Sequence, residues 1–302
     1  MKRKIGLSTS GLQNRFGDLR SLDIAKAAGA DAVDFSLSKE DYTNKDSIYS
    51  RSEEEIIEYY KSVKAHADSI GIEICQTHGR LRGYRDDEIW DRDMKENARL
   101  DFLATSVLGA PLCVVHSVPL GFFGPDVDPE FMHDLNYKMF SEMLADAKKY
   151  GVKIASETFG DSPKYGVCDF FGDIDHFTRS FERIKSEGDN ADWFCTCVDT
   201  GHSNKAMRFG NPTPADVIRR LGANTLCLHL NDNDTLTDQH KPLLTGTIDW
   251  DDVFAALDEV GYSGVYNMEI SLQRFGAEII EDTAAYSVKI LRNILDKRYG
   301  NC

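Results

Sequence analysis

Short apolar, β-branched runs alternate with longer amphipathic stretches along the whole chain, and this alternation predicts strands separated by helices. Ser52, with Glu55 three residues later, predicts the start of one connecting helix, and Gly71 predicts its end. Pro214 predicts the start of another helix, at a first-turn position where its missing N–H costs nothing. The predicted strands are 4–9 (KIGLST), 32–37 (AVDFSL), 72–79 (IEICQTHG), 112–118 (LCVVHSV), 152–160 (VKIASETFG), 193–200 (WFCTCVDT), 225–232 (TLCLHLND) and 264–271 (GVYNMEIS).

Eight β–α units in 302 residues predict an α/β fold, a (β/α)8 TIM barrel that forms a single domain over residues 1–302. An open, doubly wound sheet is the alternative. Such sheets usually have a glycine-rich phosphate loop after the first strand, but the segment 8–19 (STSGLQNRFGDL) lacks the G-x-G-x-x-G spacing. The chain also has no Pro/Ser-rich linker and no low-complexity tract, so nothing in it marks a second domain.

Composition and charge narrow the class of protein. With 41% hydrophobic residues the chain can bury a sizeable core, yet no eighteen apolar residues run together, which excludes a membrane span. The basic start, 1–5 (MKRKI), enters a strand without a signal-peptide apolar stretch, and seven cysteines without a C-x-x-C pair favour free thiols. These features predict a cytoplasmic protein. The net charge of −15 disfavours nucleic acid and anionic membranes as partners.

Ionisable side chains gather near the carboxyl ends of six consecutive predicted strands. In a barrel of this kind, those strand ends and the loops that follow them form the active site. An ionisable group at the end of an apolar run is costly to bury without a partner, and one divalent cation would satisfy several such groups at once. We therefore predict a metal site at the barrel mouth. The residues are His78, His116, Glu157, Asp199 with His202, His229 with Asp232, and Glu269.

Each of these residues also has an ordinary interpretation, because a single acid at a strand end is usually a helix cap or an ion-pair partner. Their repetition on consecutive strands, with one polarity, is what favours the metal site. By contrast, His66, His133 and His176 fall in helix-like segments and are predicted to be ordinary helical residues.

Other residues leave two interpretations open. Arg80, Arg82 and Arg85 either recognise a carboxylate or phosphate or are solvent-facing loop charges. The pair Phe122 and Phe123 packs in the core or walls a pocket. Trp250 is predicted to cap and pack the helix after the seventh strand.

Four segments together resemble the xylose-isomerase-like TIM barrel superfamily, which contains sugar phosphate isomerases and epimerases, ketose 3-epimerases, inosose dehydratases and endonuclease IV. They are 156–160 (SETFG), 197–204 (CVDTGHSN), 227–234 (CLHLNDND) with 246–250 (GTIDW), and 266–271 (YNMEIS). The resemblance to ketose epimerases implies one divalent metal ion, expected to be Mn²⁺ with Mg²⁺, Co²⁺ or Zn²⁺ as alternatives. Its implied ligands are Glu157, Asp199, His229 and Glu269.

The same resemblance implies a metal-dependent isomerase or epimerase that acts on a small-molecule sugar or cyclitol. Glu157 and Glu269 would exchange a proton with a substrate carbon, through an enediolate that the metal stabilises. A dehydratase or keto-glycoside lyase would share that intermediate, so the sequence leaves these outcomes open. The residues expected to contact the substrate are His202, His116, His78, Asp232 and His240.

Ketose epimerases generally place an arginine shortly after the seventh-strand histidine, and here 230–242 (LNDNDTLTDQHKP) has none, so the substrate stays open. The resemblance to endonuclease IV implies a different class, a multi-zinc phosphodiesterase, since this chain has a residue of the matching type for each of nine zinc ligands. The acidic balance and the lack of an evident set of basic, duplex-inserting loops argue against that class. A non-catalytic sugar-binding subunit is a third alternative, and self-association into a homo-oligomer is left open. The nine residues are His78, His116, Glu157, Asp199, His202, His229, Asp238, His240 and Glu269.

Overall fold

The computed structural model describes residues 3–300, and its centre is a barrel of eight parallel strands. Each strand pairs with the next along the chain, and the eighth strand pairs with the first. A parallel bridge between Leu230 and Met268 joins the last two strands. The strands are β1 (Ile5–Ser8), β2 (Ala32–Ser36), β3 (Glu73–His78), β4 (Leu112–Val115), β5 (Lys153–Glu157), β6 (Phe194–Asp199), β7 (Thr225–His229) and β8 (Tyr266–Met268).

The predicted (β/α)8 barrel is therefore confirmed. The predicted domain limits of 1–302 stay a prediction, since residues 1, 2, 301 and 302 lie outside the described part of the chain.

Helices connect the strands and cover the outside of the barrel. Ser52 and Glu55 form the predicted capping box, Gly71 ends that helix in the left-handed conformation, and Pro214 occupies the first turn of its helix. The helices are α1 (Ser10–Phe16), α2 (Asp18–Ala27), α3 (Glu53–Ile70), α4 (Glu88–Leu108), α5 (Pro129–Tyr150), α6 (Ile174–Lys185), α7 (Thr200–Ala206), α8 (Pro214–Leu221), α9 (Trp250–Glu259) and α10 (Ile280–Tyr299). Short 3₁₀ turns are Ile48–Ser50, Leu120–Phe122, Asn190–Asp192, Met207–Phe209, Gly222–Asn224 and Leu272–Arg274, and Asp161–Ser162 pairs with Val167–Cys168 in a small antiparallel hairpin.

The period of two along each strand places small apolar side chains beneath the polar strand ends. One buried cluster, separate from the main core between barrel and helices, fills the barrel interior. Glu157, Asp199 and His229 each follow a member of that cluster by two residues on the same strand, so they face the same interior one layer higher. The cluster consists of Leu112, Val114, Ala155, Cys195, Cys197 and Cys227.

All eight strands end before their predicted carboxyl ends, and β4, β5, β7 and β8 end three residues early. Beyond β4 and β7, loop carbonyls replace the neighbouring strands as hydrogen-bond partners. The N–H of His116 donates to the Arg80 carbonyl at 3.0 Å, and the N–H of Asp232 donates to the Lys241 carbonyl at 2.9 Å. Glu269 is the first residue after β8 ends at Met268. The ionisable residues thus stand where the barrel opens.

The six cysteines within residues 3–300 are free thiols, as predicted, and Cys302 lies outside the described residues. In the same part of the chain, none of the helices combines the length and the apolar character needed to cross a membrane.

Candidate metal centre at the barrel mouth

Four predicted ligands meet at the mouth of the barrel. Glu157, Asp199 and His229 are the last residues of β5, β6 and β7, and Glu269 is the first residue after β8. Each offers a ligand atom, and these atoms all lie within 4.8 Å of one another. The first three side chains are fully buried and that of Glu269 is 19% exposed. We call these four residues the inner group.

The contact between His116 and Glu157 tests whether the inner group fits a cation. His116 Nδ1 lies 3.1 Å from the Leu81 carbonyl, to which it donates, so Nε2 is left with a lone pair. That Nε2 lies 2.8 Å from Glu157 Oε2, and neither atom has a hydrogen-bond partner of suitable geometry among the described residues. Burial lowers the pKa of His116 by more than Glu157 raises it, which keeps the ring neutral. Two buried lone pairs so close repel, so the site fits a cation between them.

A second set of potential ligands lies beside the first. Asp199, His202 and His240 offer ligand atoms within 4.8 Å of one another. Asp238 joins them, with Oδ2 at 3.2 Å from His240 Nε2 and Oδ1 at 3.6 Å from His202 Nε2. We call these four residues the outer group, and Asp199 belongs to both groups.

Backbone carbonyls orient the two histidines of the outer group. His202 Nδ1 lies 3.1 Å from the Thr158 carbonyl, and His240 Nδ1 lies 3.0 Å from the Glu269 carbonyl. Although burial lowers the pKa of each ring, nearby carboxylates raise it further, so each Nε2 carries hydrogen and faces Asp238 as a donor. On losing that hydrogen, each Nε2 becomes a potential metal ligand.

The charges of the two groups depend on one another. Although burial alone raises the pKa of Glu157, the neighbouring His229 lowers it well below its usual range. Burial raises the pKa of Asp199 to about 6. Burial lowers the pKa of His240, but nearby carboxylates outweigh this and raise it to about 9. Without a metal ion, protons on the imidazoles balance the carboxylates, which is the role that a bound cation takes over.

The hydrogen bonds of Asp199 explain the sequence Asp-Thr-Gly-His at residues 199–202. Its Oδ1 accepts the N–H of His202 at 2.7 Å, which begins α7, and its Oδ2 accepts the Asn231 amide at 2.9 Å. A Cβ at Gly201 would lie 1.9 Å from Asn231 Oδ1. Glycine is therefore needed there so that Asn231 can reach the carboxylate.

The structure brings His78, His116, His202 and His240 to the mouth, but it keeps Asp232 apart. The Asp232 carboxylate accepts the backbone N–H groups of Asn233 and Ile248 and, at 2.9 Å, the Trp250 indole N–H. These bonds hold the loop before α9. Trp250 packs as predicted, but the N-cap of α9 is Asp249 and Trp250 is the first residue of the helix. The carboxylate of Asp232 therefore stabilises the loop.

The arginines of the third loop do not converge on the site. Arg80 is buried and its Nε bonds to Asp101 Oδ2 at 2.7 Å, so it ties the loop to α4. The Arg85 guanidinium stacks over Trp90 at 3.9 Å and over half-buried Phe122 at 4.3 Å. Arg82 is exposed.

The remaining histidines lie in helices, as predicted, although His133 is buried. His66 lies in α3 and contacts Asp23, at 2.8 Å. His133 lies in α5 with Nδ1 2.6 Å from Ser180 Oγ, and its Nε2 is 3.2 Å from His176 in α6.

Sequence reasoning missed several residues that touch the site. The Phe159 ring lies between those of His116 and His202, at centroid distances of 4.8 and 5.6 Å. Asp34 and Gln76 contact His229 from inside the barrel. Only Asp34 had a usable signal, as the one charged residue in the strand 32–37 (AVDFSL), at an inward-facing position.

Comparisons with known proteins agree with this architecture. An uncharacterized protein of Methanocaldococcus jannaschii is 29% identical over 137 residues, which is 45% of this chain and 43% of that protein. This chain spans about half the length of the curated relatives that it matches. A D-tagatose 3-epimerase-like protein has a TM-score of 0.72 at 20% identity, over 98% of this chain and 99% of that one. The IOLI protein with a zinc atom has a TM-score of 0.73 at 16% identity, over 97% and 98%.

At these identities the likeness to solved structures shows a common barrel fold. The model of the xylose isomerase-like TIM barrel family matches residues 22–294, which is most of the chain. The chain is therefore a member of the xylose isomerase-like TIM barrel family.

Proposed function

We propose that this protein is a divalent-metal-dependent isomerase or epimerase of a sugar or cyclitol. The observation that carries the proposal is the convergence of the four inner-group ligands within 4.8 Å. Three carboxylates and one imidazole form an oxygen-rich set that suits Mn²⁺, with Mg²⁺, Co²⁺ or Zn²⁺ as alternatives. The zinc atom named for the IOLI protein, which has the same fold, supports a divalent ion.

The two glutamates supply the proton transfer. When bound, a divalent ion supplies Lewis-acid stabilisation of negative charge on the substrate oxygens. Glu157 is buried and ionised, with its pKa well below the usual range despite burial, because His229 faces it. It can accept a proton from a carbon next to a carbonyl, and Glu269, which is partly open to the mouth, can return one.

The imidazoles at the mouth hold the substrate. His116 has Nδ1 fixed by a backbone carbonyl, so its Nε2 can accept a hydrogen bond from a substrate hydroxyl. His202 and His240, whose Nε2 atoms face Asp238, can donate hydrogen bonds to substrate oxygens. Phe159 offers an apolar surface between two of these rings, beside which the C–H face of a sugar can pack. The epimerase name of one structural neighbour agrees with this assignment. A dehydratase or keto-glycoside lyase would use the same first proton transfer.

A deuterium-exchange screen tests the proposal. The protein is purified without chelator, its metal content is measured, and ketoses and inososes are incubated with it in deuterium oxide. We expect one divalent ion per chain and metal-dependent deuterium incorporation at the carbon beside the carbonyl of the true substrate. Exchange that persists at the wild-type rate in Glu157→Gln would contradict the acid–base assignment.

The outer group favours a second candidate, a multi-zinc phosphodiesterase. Asp199, His202 and His240 can hold a further ion, and Asp238 lies against them. Against this candidate stands the net charge of −15, which disfavours association with nucleic acid. Metal content separates the two: a single Mn²⁺-type ion supports the sugar enzyme, and three zinc ions with cleavage of phosphodiesters support the other.

A further inference from the structure

Asp34 is a charged residue in the barrel interior that the proposed function does not use. Its side chain is fully buried in the middle of β2, and its Oδ2 lies 3.0 Å from Nε2 of His229. Asp34 belongs to none of the groups of potential metal ligands within residues 3–300. Since a buried carboxylate is costly, its place beside an inner-group ligand calls for an explanation.

The contact decides which nitrogen of His229 carries the hydrogen once a cation occupies the inner group. Carboxylates face both nitrogens of the ring, and a carboxylate only accepts hydrogen bonds. With the cation on the Nδ1 side, the hydrogen of a neutral His229 ring therefore lies on Nε2, facing Asp34. Gln76 Nε2 lies 3.2 Å from the same nitrogen. An amide nitrogen donates, so Gln76 supports this tautomer only with its amide turned to bring Oε1 to the ring, and the charged Asp34, at 3.0 Å, is the closer partner.

The other nitrogen faces the inner group. His229 Nδ1 lies 2.8 Å from Glu157 Oε1 and 3.3 Å from Glu269 Oε2. The His78 ring stacks on that of His229 at 5.1 Å and 17°, which restricts a ring flip that would exchange the two nitrogens. In the opposite tautomer, an N–H hydrogen would occupy the place of the cation and a lone pair would face Asp34.

We propose that Asp34 is a positioning residue that fixes His229 in the tautomer with hydrogen on Nε2 and so presents Nδ1 to the metal ion. The inference rests on the metal site of the proposed function. Partners of this kind, which hold a ligating histidine through its second nitrogen, typically contribute about 10–100-fold to metal affinity.

Titration of the metal-free protein with Co²⁺ tests the role of Asp34. We expect Asp34→Asn, which keeps the shape but removes the charge, to weaken the Co²⁺ dissociation constant by about 10–100-fold. Thr77→Val is the matched control, since Thr77 lies on the adjacent strand and its buried hydroxyl bonds to Thr105 instead of a ligand. It should lower the unfolding midpoint and leave Co²⁺ affinity unchanged. Wild-type affinity in Asp34→Asn overturns the proposal.

A second measurement uses the wild-type protein, so it does not depend on the folding of Asp34→Asn. Long-range ¹H–¹⁵N spectra of the Zn²⁺-loaded wild-type protein report which nitrogen of His229 carries the hydrogen. We expect hydrogen on Nε2 and the shift of a metal-bound nitrogen on Nδ1, and hydrogen on Nδ1 overturns the proposal. A wild-type protein that binds no Co²⁺ refutes the metal site and this inference together, whereas binding that is indifferent to Asp34 refutes this inference alone.

Discussion

The inner and outer groups share Asp199 but are built in different ways. The inner ligands end adjacent barrel strands or directly follow one, so the hydrogen-bonded ladder of the barrel sets their spacing. The outer ligands come from the first turn of α7 and from the loop after β7. There His240 has a φ of +43°, a strained value for a residue other than glycine. The fold itself therefore supplies the inner group, whereas loop conformation supplies the outer one.

The largest expected effect comes from the inner glutamates. Glu157→Gln or Glu269→Gln should lower turnover by at least about 10³-fold, because each removes a proton-transfer group and a metal ligand. Steady-state assays on the substrate found by deuterium exchange measure it. Glu130→Gln, an exposed residue of α5 with a side chain 62% exposed, serves as the control and should keep full activity. Near-wild-type rates in either inner variant would refute the assignment.

A pair of histidine variants compares the two groups directly. His229→Gln should weaken binding of the divalent ion by about 100-fold, since it removes an inner ligand. His240→Gln should keep one ion per chain with nearly unchanged affinity, if the outer group serves the substrate. Elemental analysis and calorimetry measure both. Loss of further ions in His240→Gln would instead favour the multi-zinc candidate.

Two glycine variants test how Asp199, the residue that both groups share, is held in place. Gly201→Ala brings a Cβ within 1.9 Å of Asn231 Oδ1 and should destabilise the fold by about 1–3 kcal/mol, with weaker metal binding as Asn231 leaves Asp199. Gly121→Ala is the control, because its Cβ would approach nothing closer than 3.9 Å. Thermal unfolding with and without metal measures both. Equal midpoints in the two variants would show that the close approach at Gly201 is unimportant.

The last expected effect is a pH dependence of metal affinity. Burial lowers the pKa of His229, but Glu269 and Glu157 raise it well above its usual value, so the metal-free ring is protonated at neutral pH. A ligating imidazole must lose that proton, so metal affinity should rise with pH by up to about tenfold per unit between about pH 6 and 8. Calorimetry in buffers of different ionisation enthalpy would detect the released proton. An affinity that is independent of pH contradicts this linkage.

Much of the fold could be predicted because strands and helices here follow simple periodic patterns. Each of the eight apolar runs forms a barrel strand. The mouth of the barrel could be located from the polar residues at the strand ends, Glu157, Asp199 and His229. The inner group followed from that polarity and from family resemblance. These are features that a linear sequence displays directly.

The rest depended on contacts between distant residues. In the sequence Arg80 resembles an anion-binding residue, but in the structure its guanidinium is bonded to Asp101 on α4. Asp232 lies at a strand end like the inner group, yet its carboxylate accepts the indole N–H of Trp250. Neither pairing could be recognised from neighbouring residues in the sequence. The partners are distant along the chain, and the packing of helices and loops against the barrel brings them together.

The layer of thiols beneath the inner group bears on the reactivity of the barrel interior. Burial raises the pKa of Cys195 and Cys197 well above the usual range, so both sulfurs keep their protons. A buried, protonated thiol is a poor nucleophile and a poor metal ligand. Alkylating reagents and metals that prefer sulfur should therefore reach this layer only when the barrel itself opens.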